Sequence, residues 1–254
     1  MFSILIPTFN NLKYLKFCIK SLIKNSFFEN EIICHVNIGN DGTLDYLKKD
    51  NIKYTYTSYN SGICEGINKA AKLAKFKYYL YAHDDFYFCP DWDTEFFKEI
   101  NLIPDNKFYL SGTMIGAGQV PFDAGVTYEN FNEKKLLDRQ EEIKTFNFQG
   151  TTKCPGLVHK NIWDLVGGWS EEFSPTGGDD TDFAMKLWRN NIRIFKGLGK
   201  SLAYHFGSIT TRKKDKKLFT YLGSRGNKIF LKKWGISINF FEKHYLKSGL
   251  DRNK

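Results

Sequence analysis

The sequence predicts an α/β protein built on a mostly parallel sheet that is flanked by helices. Short apolar runs typical of buried strands alternate with segments whose apolar residues recur at helical spacing, and short polar connectors separate them. Right-handed crossovers between parallel strands are the usual result of this order. The chain has 254 residues, of which 42% are hydrophobic, and this is enough for one domain with a substantial core.

The first hundred residues carry the regular part of this pattern. Strands are predicted over residues 2–7, 31–38, 52–57 and 78–82, and helices follow the first three of them. Pro7 is expected to end the first strand, because proline cannot donate to a central ladder. Asp41-Gly42 indicates a tight turn after the second strand.

The remaining residues are less regular. Helices are predicted over residues 91–100, 132–144, 161–166 and 184–190, and strands over 108–116, 192–195 and 202–208. Residues 117–150 form a long excursion between two of these elements. The sequence shows no linker that would divide the chain and no internal repeat, so we expect a single domain with a C-terminal extension.

Positive charge is concentrated at the C-terminus. Residues 200–254 contain 14 Lys and Arg against three Asp and Glu, whereas residues 1–199 contain 23 against 25, within a chain of net charge +9. A nucleic-acid enzyme more often carries positive charge around its cleft, so we do not expect nucleic acid as a partner. A basic tail fits a membrane surface or a polyanionic acceptor instead.

Two adjacent carboxylates, Asp84 and Asp85, follow the fourth predicted strand directly. Buried carboxylates without a positive partner are costly, and a divalent cation with oxygen ligands is the usual remedy. A simple cap of the next turn is the alternative for this pair taken alone. Ligands of parallel α/β folds bind beyond the carboxyl ends of the strands. Polar or small residues occupy the other predicted strand ends as well: Thr8, Asn10, Asp41, Asn60 and Gly62.

The motifs that the sequence lacks disfavour some classes of function, and its cysteines indicate the cellular compartment. No Gly-x-Gly-x-x-Gly follows the first strand and no P-loop occurs, which disfavours dinucleotide-binding and ATP-hydrolysing proteins. Five scattered cysteines argue against a disulfide framework or a zinc cluster and favour a reducing cytosol. No secretory leader and no apolar stretch of roughly 18 residues is present. We expect a cytoplasmic protein, with the basic tail allowing a peripheral position at the inner face of a membrane.

An ordered set of short motifs resembles the family-two inverting glycosyltransferases, which have the GT-A fold and use nucleotide-sugar donors. The matching segments are residues 3–10 (SILIPTFN), 40–43 (NDGT), 60–62 (NSG), 82–85 (AHDD), 167–169 (GGW), 178–182 (GDDTD), 205 (H) and 233–235 (KWG). The resemblance covers about residues 2–235. Each motif is short, but the ordered set is specific.

The resemblance implies an organisation for the whole chain. A GT-A domain with a mixed, mostly parallel sheet, Rossmann-like in its first half, would occupy residues 1–212. Its nucleotide-binding half would cover about residues 1–100, and its acceptor half about residues 101–212. A basic, aromatic-rich helical extension would follow over residues 213–254.

The resemblance also implies roles for individual residues. Seven of them would contact the nucleotide-sugar: Pro7, Thr8, Asn10, Asp41, Asn60, Gly62 and Asp84. Among these, Asp41 would bind the base, usually uracil, and Asp84 would lie near the ribose. Asp85 would lie at the metal-bound diphosphate, and His205 would complete the Mn²⁺ or Mg²⁺ site. Asp180 matches the catalytic base.

The expected reaction explains why these residue types are needed. Cleavage of a nucleotide-sugar develops negative charge on the leaving phosphates, which a divalent cation offsets. Inversion needs a base on the opposite face of the sugar, where it takes the proton of the acceptor hydroxyl. We favour Asp180 as this base, although Asp179 can exchange roles with it. Asp179 and Asp182 also fit capping acids at the start of a helix.

The sequence departs from the family pattern at Ala82, where the usual first acid of the aspartate motif is missing. Metal binding is then expected to depend on Asp85 and His205, with His83 as a second-choice ligand. Trp169 can stack on an acceptor sugar or belong to the core, and we favour the acceptor site.

Together these inferences predict a hexosyl- or N-acetylhexosaminyltransferase of polysaccharide biosynthesis, which moves a sugar from a UDP-sugar to a glycan or a lipid-linked acceptor. A catalytically silent nucleotide-sugar or glycan-binding domain is the main alternative, because the first acid is missing. A nucleotidyltransferase or phosphoesterase would need further basic residues in the N-terminal half. The rings of the tail interleave with lysines, which fits contact with an anionic membrane or packing onto the domain.

Overall fold

One mixed sheet of nine strands forms the centre of the part of the molecule that the structure describes. The structure is a computed structural model and describes residues 1–207 and 215–248, so Lys213 and Lys214 of the predicted extension lie outside it. The strands are β1 (Phe2–Phe9), β2 (Glu31–Asn37), β3 (Lys53–Thr57), β4 (Tyr78–Tyr81), β5 (Phe86–Phe88), β6 (Phe108–Gly116), β7 (Phe148–Gln149), β8 (Gly156–His159) and β9 (Ile194–His205). Their spatial order is β3-β2-β1-β4-β8-β6-β9-β5, and β7 pairs with β9.

The first half of the sheet is parallel. β1 lies between β2 and β4, and β3 pairs with β2 on the outside. The predicted end of the first strand at Pro7 is wrong, because β1 continues to Phe9. β4 pairs only with residues 2–5 of β1, so at Pro7 the strand has a neighbour on one side only, where a missing N–H is tolerated.

The second half of the sheet mixes both orientations. β8 pairs antiparallel with β4 and β6, whereas β9 runs parallel to β6 and antiparallel to β5. The two strands predicted near residues 192 and 202 are one continuous strand, β9. Gly197 and Gly199 interrupt its apolar pattern because other groups lie against them: a Cβ on Gly197 would be 2.0 Å from the Phe148 ring.

Helices cover both faces of this sheet. They are α1 (Leu12–Asn25), α2 (Thr43–Lys49), α3 (Gly62–Ala71), α4 (Trp92–Leu102), α5 (Glu133–Asp138), α6 (Gln140–Ile143), α7 (Lys160–Val166), α8 (Asp179–Arg189), α9 (Lys216–Trp234) and α10 (Ile238–Phe240). A 3-10 turn (Glu171–Phe173) and a π-helix (Phe241–Tyr245) complete the set. The predicted helix over 132–144 is divided into α5 and α6, and α8 begins earlier than predicted, at Asp179. The predicted α/β fold class with a mixed sheet is confirmed.

The buried side chains of the tail show how the extension is attached. Leu222, Phe230 and Phe241 are buried against the domain, whereas Tyr221 and Phe240 are exposed. One face of the tail therefore packs on the domain, as the second interpretation of its rings predicts. None of the helices in residues 1–207 and 215–248 combines the length and the apolarity needed to cross a membrane. All five cysteines are buried thiols.

A buried histidine links β2 to the strand and loop beside it. The Nδ1 atom of His35 lies 2.8 Å from Thr55 Oγ1, and its Nε2 atom lies 3.2 Å from Thr57 Oγ1 and 3.3 Å from Ser61 Oγ. Burial lowers the pKa of His35 to about 4, and the charge of Lys69 acts in the same direction. The imidazole is therefore neutral in the folded protein.

Replacing His35 with Gln should remove a pH dependence of stability. In the wild type, the unfolded imidazole is protonated below about pH 6.5 and the folded one only near its lowered pKa, so stability falls as pH drops through this range. The change approaches about 1.4 kcal/mol per pH unit. Urea denaturation at about pH 7 and about pH 5 measures it. If wild type and His35→Gln lose the same stability between these two pH values, the pH dependence comes from another group.

Candidate active site

The loops after β1 and β2 are tied to each other at the carboxyl edge of the sheet. Asn10 has φ 45°, and its Oδ1 atom accepts a hydrogen bond from the Asn40 N–H at 3.1 Å. Asp41 accepts hydrogen bonds from the Leu12 N–H at 2.8 Å and from Thr43 Oγ1 at 2.6 Å. Asp41 is exposed, and its Oδ2 atom, which accepts only the bond from Leu12 among the described contacts, has a further lone pair with which to bind a ligand.

The loop after β3 connects this edge to the second half of the chain. Asn37 Oδ1 accepts hydrogen bonds from the N–H and the hydroxyl of Ser61 at 2.7 and 2.9 Å. Asn60 Oδ1 accepts one from the Gly62 N–H at 3.0 Å. Gly62 has φ +82°, and a Cβ placed on it would be 2.5 Å from Cα of Pro175. Only glycine fits this close approach without displacing the backbone.

Asp84 and Asp85 have different partners although they are neighbours in sequence. Thr8 Oγ1 donates a hydrogen bond to Asp84 Oδ2 at 2.6 Å, which joins the ends of β1 and β4. Burial raises the pKa of Asp84 to about 7, with a further contribution from the charge of Asp85, while the bond from Thr8 opposes this rise. Asp85 is buried and faces two histidines.

His83, Asp85 and His205 form a cluster that could hold a metal ion. Asp85 Oδ1 lies 3.3 Å from His205 Nε2 and 4.0 Å from His83 Nδ1, and one ligand atom from each residue lies within 4.8 Å of the others. His205 Nδ1 donates a hydrogen bond to the Ala117 carbonyl oxygen at 2.8 Å. This bond leaves Nε2 as the nitrogen with a free lone pair, which is how metal-binding histidines are commonly oriented.

The two histidines of this cluster differ in electrostatics. Burial lowers the pKa of His83 to about 4, and the neighbouring His205 acts in the same direction. Burial would also lower the pKa of His205, but the Asp85 carboxylate outweighs it and raises that pKa above its usual value. One carboxylate and two imidazoles suit a divalent ion that tolerates nitrogen ligands.

Two acids open helix α8 and point in different directions. Asp179 is 8% exposed and accepts a hydrogen bond from the Gly177 N–H at 2.7 Å. Burial raises the pKa of Asp179 to about 7, and the charge of Asp180 contributes. The Asp180 side chain is 31% exposed, and its Oδ1 atom accepts a hydrogen bond from the Thr181 N–H at 2.8 Å. Asp180 is therefore the acid that a ligand can reach.

Lys153 is a site residue that sequence reasoning missed. Its Nζ atom lies 3.7 Å from Asp180 Oδ2, and the charge of Asp180 raises the pKa of Lys153. No motif or periodicity surrounds Lys153, so no sequence signal marks it. Asp180 also raises the pKa of His83, against the larger effect of burial, so the Asp180 carboxylate lies close enough for its charge to act on this histidine of the cluster.

Trp169 belongs to the core, contrary to the favoured interpretation of this residue. It is 3% exposed, its ring stacks on Phe183 with centroids 5.5 Å apart, and it meets the Tyr81 ring edge-on at 4.7 Å. Its N–H and carbonyl are both bonded to the Asn68 side chain at 2.9 Å. Because the ring is covered by core side chains, its packing does not support stacking on an acceptor sugar.

Comparison with known proteins identifies the family. The family model of glycosyl transferase family 2 matches residues 3–154, which is more than half of the chain. The chain belongs to glycosyl transferase family 2. The matched range contains the loops after β1, β2 and β3, both carboxylates after β4 and Lys153. Asp180 and His205 lie beyond the match, so their roles depend on the geometry described above.

Individual relatives agree with this family and with the fold. Chondroitin synthase of Escherichia coli is 24% identical over 245 residues, which cover 80% of this chain and 34% of the relative. The chain thus spans about a third of that curated relative. The crystal structure of residues 1–349 of S. aureus TarS has a TM-score of 0.62 at 17% identity and covers 94% of this chain and 74% of its own. Similar crystal structures contain TarS with UDP and with UDP-GlcNAc. This likeness shows the GT-A fold.

A Gly62→Ala variant should disturb the connection between the two halves of the cleft. Gly167→Ala is its matched control, because Gly167 also has a positive φ, +69°, but no atom lies within 4 Å of the Cβ position. Both variants carry left-handed backbone strain of about 1 kcal/mol, and only Gly62→Ala adds a clash with backbone, which brings its cost to about 3 kcal/mol. Thermal denaturation measures the stability of both variants. Equal losses of stability in Gly62→Ala and Gly167→Ala would contradict the prediction.

Proposed function

We propose that this protein is an inverting glycosyltransferase that moves a sugar from a UDP-sugar to a hydroxyl of a glycan or a lipid-linked acceptor. The observation that carries the proposal is the position of Asp180: its accessible carboxylate lies close enough for its charge to act on His83, which belongs to a largely buried cluster of one carboxylate and two imidazoles. Loops with free lone pairs and backbone N–H groups line the adjoining sheet edge. An accessible base beside a cation site is what this reaction requires.

The donor is assigned to the carboxyl edge of the first four strands. Pro7, Thr8 and Asn10 would line its pocket, Asp41 would bind the uracil ring and Asp84 the ribose. Asn60 and Gly62 order the neighbouring loop, where the backbone approaches closely. TarS, whose fold this chain shares, has been crystallised with UDP and with UDP-GlcNAc, which supports a UDP-sugar and makes hexose and N-acetylhexosamine donors the first to test.

The cation would be held by Asp85, His205 and His83. The donor set fits Mn²⁺ better than Mg²⁺, because Mg²⁺ prefers an all-oxygen shell and two of these three ligands are nitrogens. A bound cation would offset the charge that develops on the leaving diphosphate. His83 thus provides a donor in a motif that lacks its first acid at Ala82.

Asp180 would act as the general base. Its carboxylate takes the proton of the acceptor hydroxyl while that oxygen bonds to the anomeric carbon and the bond from this carbon to the diphosphate oxygen breaks. Thr181 donates its N–H to one oxygen of Asp180, and the other oxygen lies 3.7 Å from Lys153 Nζ. Asp179 is less suited, because it is buried and its Oδ1 atom already accepts hydrogen bonds from the Gly177 N–H and from Thr176 Oγ1.

Replacing Asp180 with Asn should lower the rate of transfer by about 10²–10⁴-fold and leave UDP binding unchanged. The reason is that the amide cannot accept the proton, while the donor pocket lies on other loops. Asp179→Asn is the matched neighbour and should cost less. Release of UDP is followed over a panel of donors and acceptors with Mn²⁺. If Asp179→Asn lowers the rate of transfer more than Asp180→Asn does, Asp179 rather than Asp180 is the general base.

The same assay separates catalysis from binding alone. Ala82 breaks the family motif, which makes a silent nucleotide-sugar-binding domain the second candidate. UDP binding by calorimetry without turnover of any donor in the wild type would support that domain. Turnover that Asp180→Asn abolishes would exclude it.

Replacing Asp85 with Asn should weaken Mn²⁺ binding more than about tenfold, because the only carboxylate of the cluster loses its charge. Asp45→Asn, at an exposed position of α2, is the control for a lost acid. Calorimetric titration of Mn²⁺ in the presence of UDP measures the affinity. Chelation should also abolish transfer, and full activity after exhaustive chelation would remove the cation from the proposal.

The exposed face of α9 supports a peripheral membrane contact. Lys217, Tyr221, Lys228, Leu231 and Lys232 recur at helical spacing and are all exposed. Lysines interspersed with an aromatic and an aliphatic side chain suit the surface of an anionic membrane. Because an acceptor linked to lipid is held at such a surface, this contact would bring the cleft to it.

The double variant Lys217→Glu with Lys228→Glu should abolish flotation with anionic vesicles, because it reverses two charges on this face. A matched double reversal at Lys20 and Lys48, exposed on α1 and α2, should float like the wild type. Neutral vesicles measure the share of binding that is not electrostatic. Absence of wild-type flotation with anionic vesicles would end the membrane proposal.

A further inference from the structure

The last long helix of the described chain rests on the loop that leads to Asp180. This loop, residues 174–178, directly precedes α8. Arg225 of α9 donates hydrogen bonds to the Ser174 carbonyl oxygen from NH1 and to the Glu172 carbonyl oxygen from NH2, both at 2.9 Å. The Arg225 guanidinium therefore donates to two backbone carbonyls at the start of the loop. Because its two NH groups have a fixed geometry, they set the orientation of the loop relative to α9 as well as its distance.

Two glycines allow the backbones of α9 and the loop to touch. A Cβ on Gly226 would lie 1.9 Å from the Gly177 carbonyl oxygen, and a Cβ on Gly177 would lie 2.5 Å from the Leu222 carbonyl oxygen. Backbone atoms cannot move aside as the end of a side chain can, so neither position accepts a larger residue without separating helix and loop. Gly177 also donates its N–H to Asp179, the first residue of α8.

The end of α9 holds the first turn of α8 directly. Asp182 is fully buried, and its Oδ1 atom accepts a hydrogen bond from Trp234 Nε1 at 2.8 Å and faces Lys233 Nζ at 3.0 Å. Lys233 also pairs with Glu172 at 2.6 Å and donates to Ser170 Oγ at 2.9 Å. A buried carboxylate is stable only with such partners, so Asp182 fixes α8 to the tail.

We propose that Arg225, Lys233 and Trp234 are positioning residues for the glycosyl transfer reaction. They hold the loop and the first turn of α8 so that the Asp180 carboxylate, two residues before Asp182, faces the cleft. The C-terminal extension is then part of the catalytic unit. This inference rests on the proposed role of Asp180 as base.

The placement of the contacts distinguishes positioning from general stabilisation. The side-chain hydrogen bonds and ion pairs of these three residues end on residues 170–182, next to the base. The donor pocket is built mostly from the loops after β1, β2, β3 and β4, and it meets the loop 174–178 at Gly62, which lies against Pro175. A disturbance of the contacts made by α9 should therefore lower kcat and leave the affinity for the donor nucleotide unchanged, because a small displacement of a reacting group can cost about 10²-fold in rate.

The main test uses a pair of identical substitutions on one helix. Gly226→Ala places a methyl group against the Gly177 carbonyl, whereas Gly223→Ala, one turn away, adds the same group where no atom lies within 4 Å. We expect kcat to fall at least about tenfold in Gly226→Ala with KM for the UDP-sugar within about twofold of wild type, and Gly223→Ala to match wild type. Equal kinetics of Gly226→Ala and wild type would overturn the proposal.

Milder substitutions show whether a loss of activity has a cause other than unfolding of the protein. Trp234→Phe removes the donor to Asp182 and keeps an aromatic ring, and we expect it to lower kcat without a change in KM for the donor. Lys233→Met should lower kcat, Lys233→Arg should restore part of it, and Lys243→Met, at an exposed position of the tail, is the charge control. A parallel loss of kcat and UDP affinity in Trp234→Phe and Lys233→Met would indicate a structural role only and overturn the proposal.

A second readout does not depend on activity. Amide hydrogen exchange in residues 172–182 should accelerate at least about tenfold in Trp234→Phe and Gly226→Ala, while exchange in residues 8–12 and 40–43 stays as in wild type. Unchanged exchange in residues 172–182 would overturn the proposal. Asp180→Asn, run in parallel, separates the two hypotheses: if it keeps wild-type transfer, the base assignment fails, and exchange alone then decides whether α9 holds the loop.

Discussion

Buried negative charge is the constraint around which the cleft is arranged. Several carboxylates are gathered at one end of the sheet, and each must be neutralised because water is largely excluded. Asp84 is bonded to Thr8, and Asp182 is held by Lys233 and Trp234. Asp85 has His205 beside it, within a cluster of the kind that binds a cation. Thr8, Lys233 and Trp234 thus tie two of these carboxylates into the structure, whereas Asp85 belongs to the cluster that could hold a metal ion.

Burial and hydrogen bonding also distinguish Asp180, the proposed base, from its neighbours. Asp179 and Asp182 are buried and bonded within the protein, so they order the first turn of α8. Asp180, between them in sequence, keeps about a third of its side chain accessible and faces a lysine. The contacts of Asp179 and Asp182 therefore order the turn that carries Asp180. The residues that hold Asp182 belong to α9, some fifty residues further along the chain.

The family resemblance and the geometry complement each other. The match to glycosyl transferase family 2 covers residues 3–154, which include the loops proposed to bind the donor, while the proposed base Asp180 and the second histidine, His205, lie beyond it. Ala82 removes an oxygen ligand that the family usually provides, and His83 brings a nitrogen to the same cleft. In the proposed metal site this exchange would favour Mn²⁺ over Mg²⁺.

The sequence by itself determined the alternation of strands and helices in the first half, the polar residues at the strand ends and the ordered motifs, because periodicity and turn chemistry are local properties. Only the tertiary structure decided that Trp169 lies in the core, that Lys153 faces Asp180, and that Trp234 and Lys233 hold Asp182. These contacts join residues from about 27 to 100 positions apart, and no local pattern encodes them. The continuity of β9 across its glycines could not be predicted for a related reason: the groups that fill the space beside Gly197 and Gly199 come from β7 and from the residues just before it.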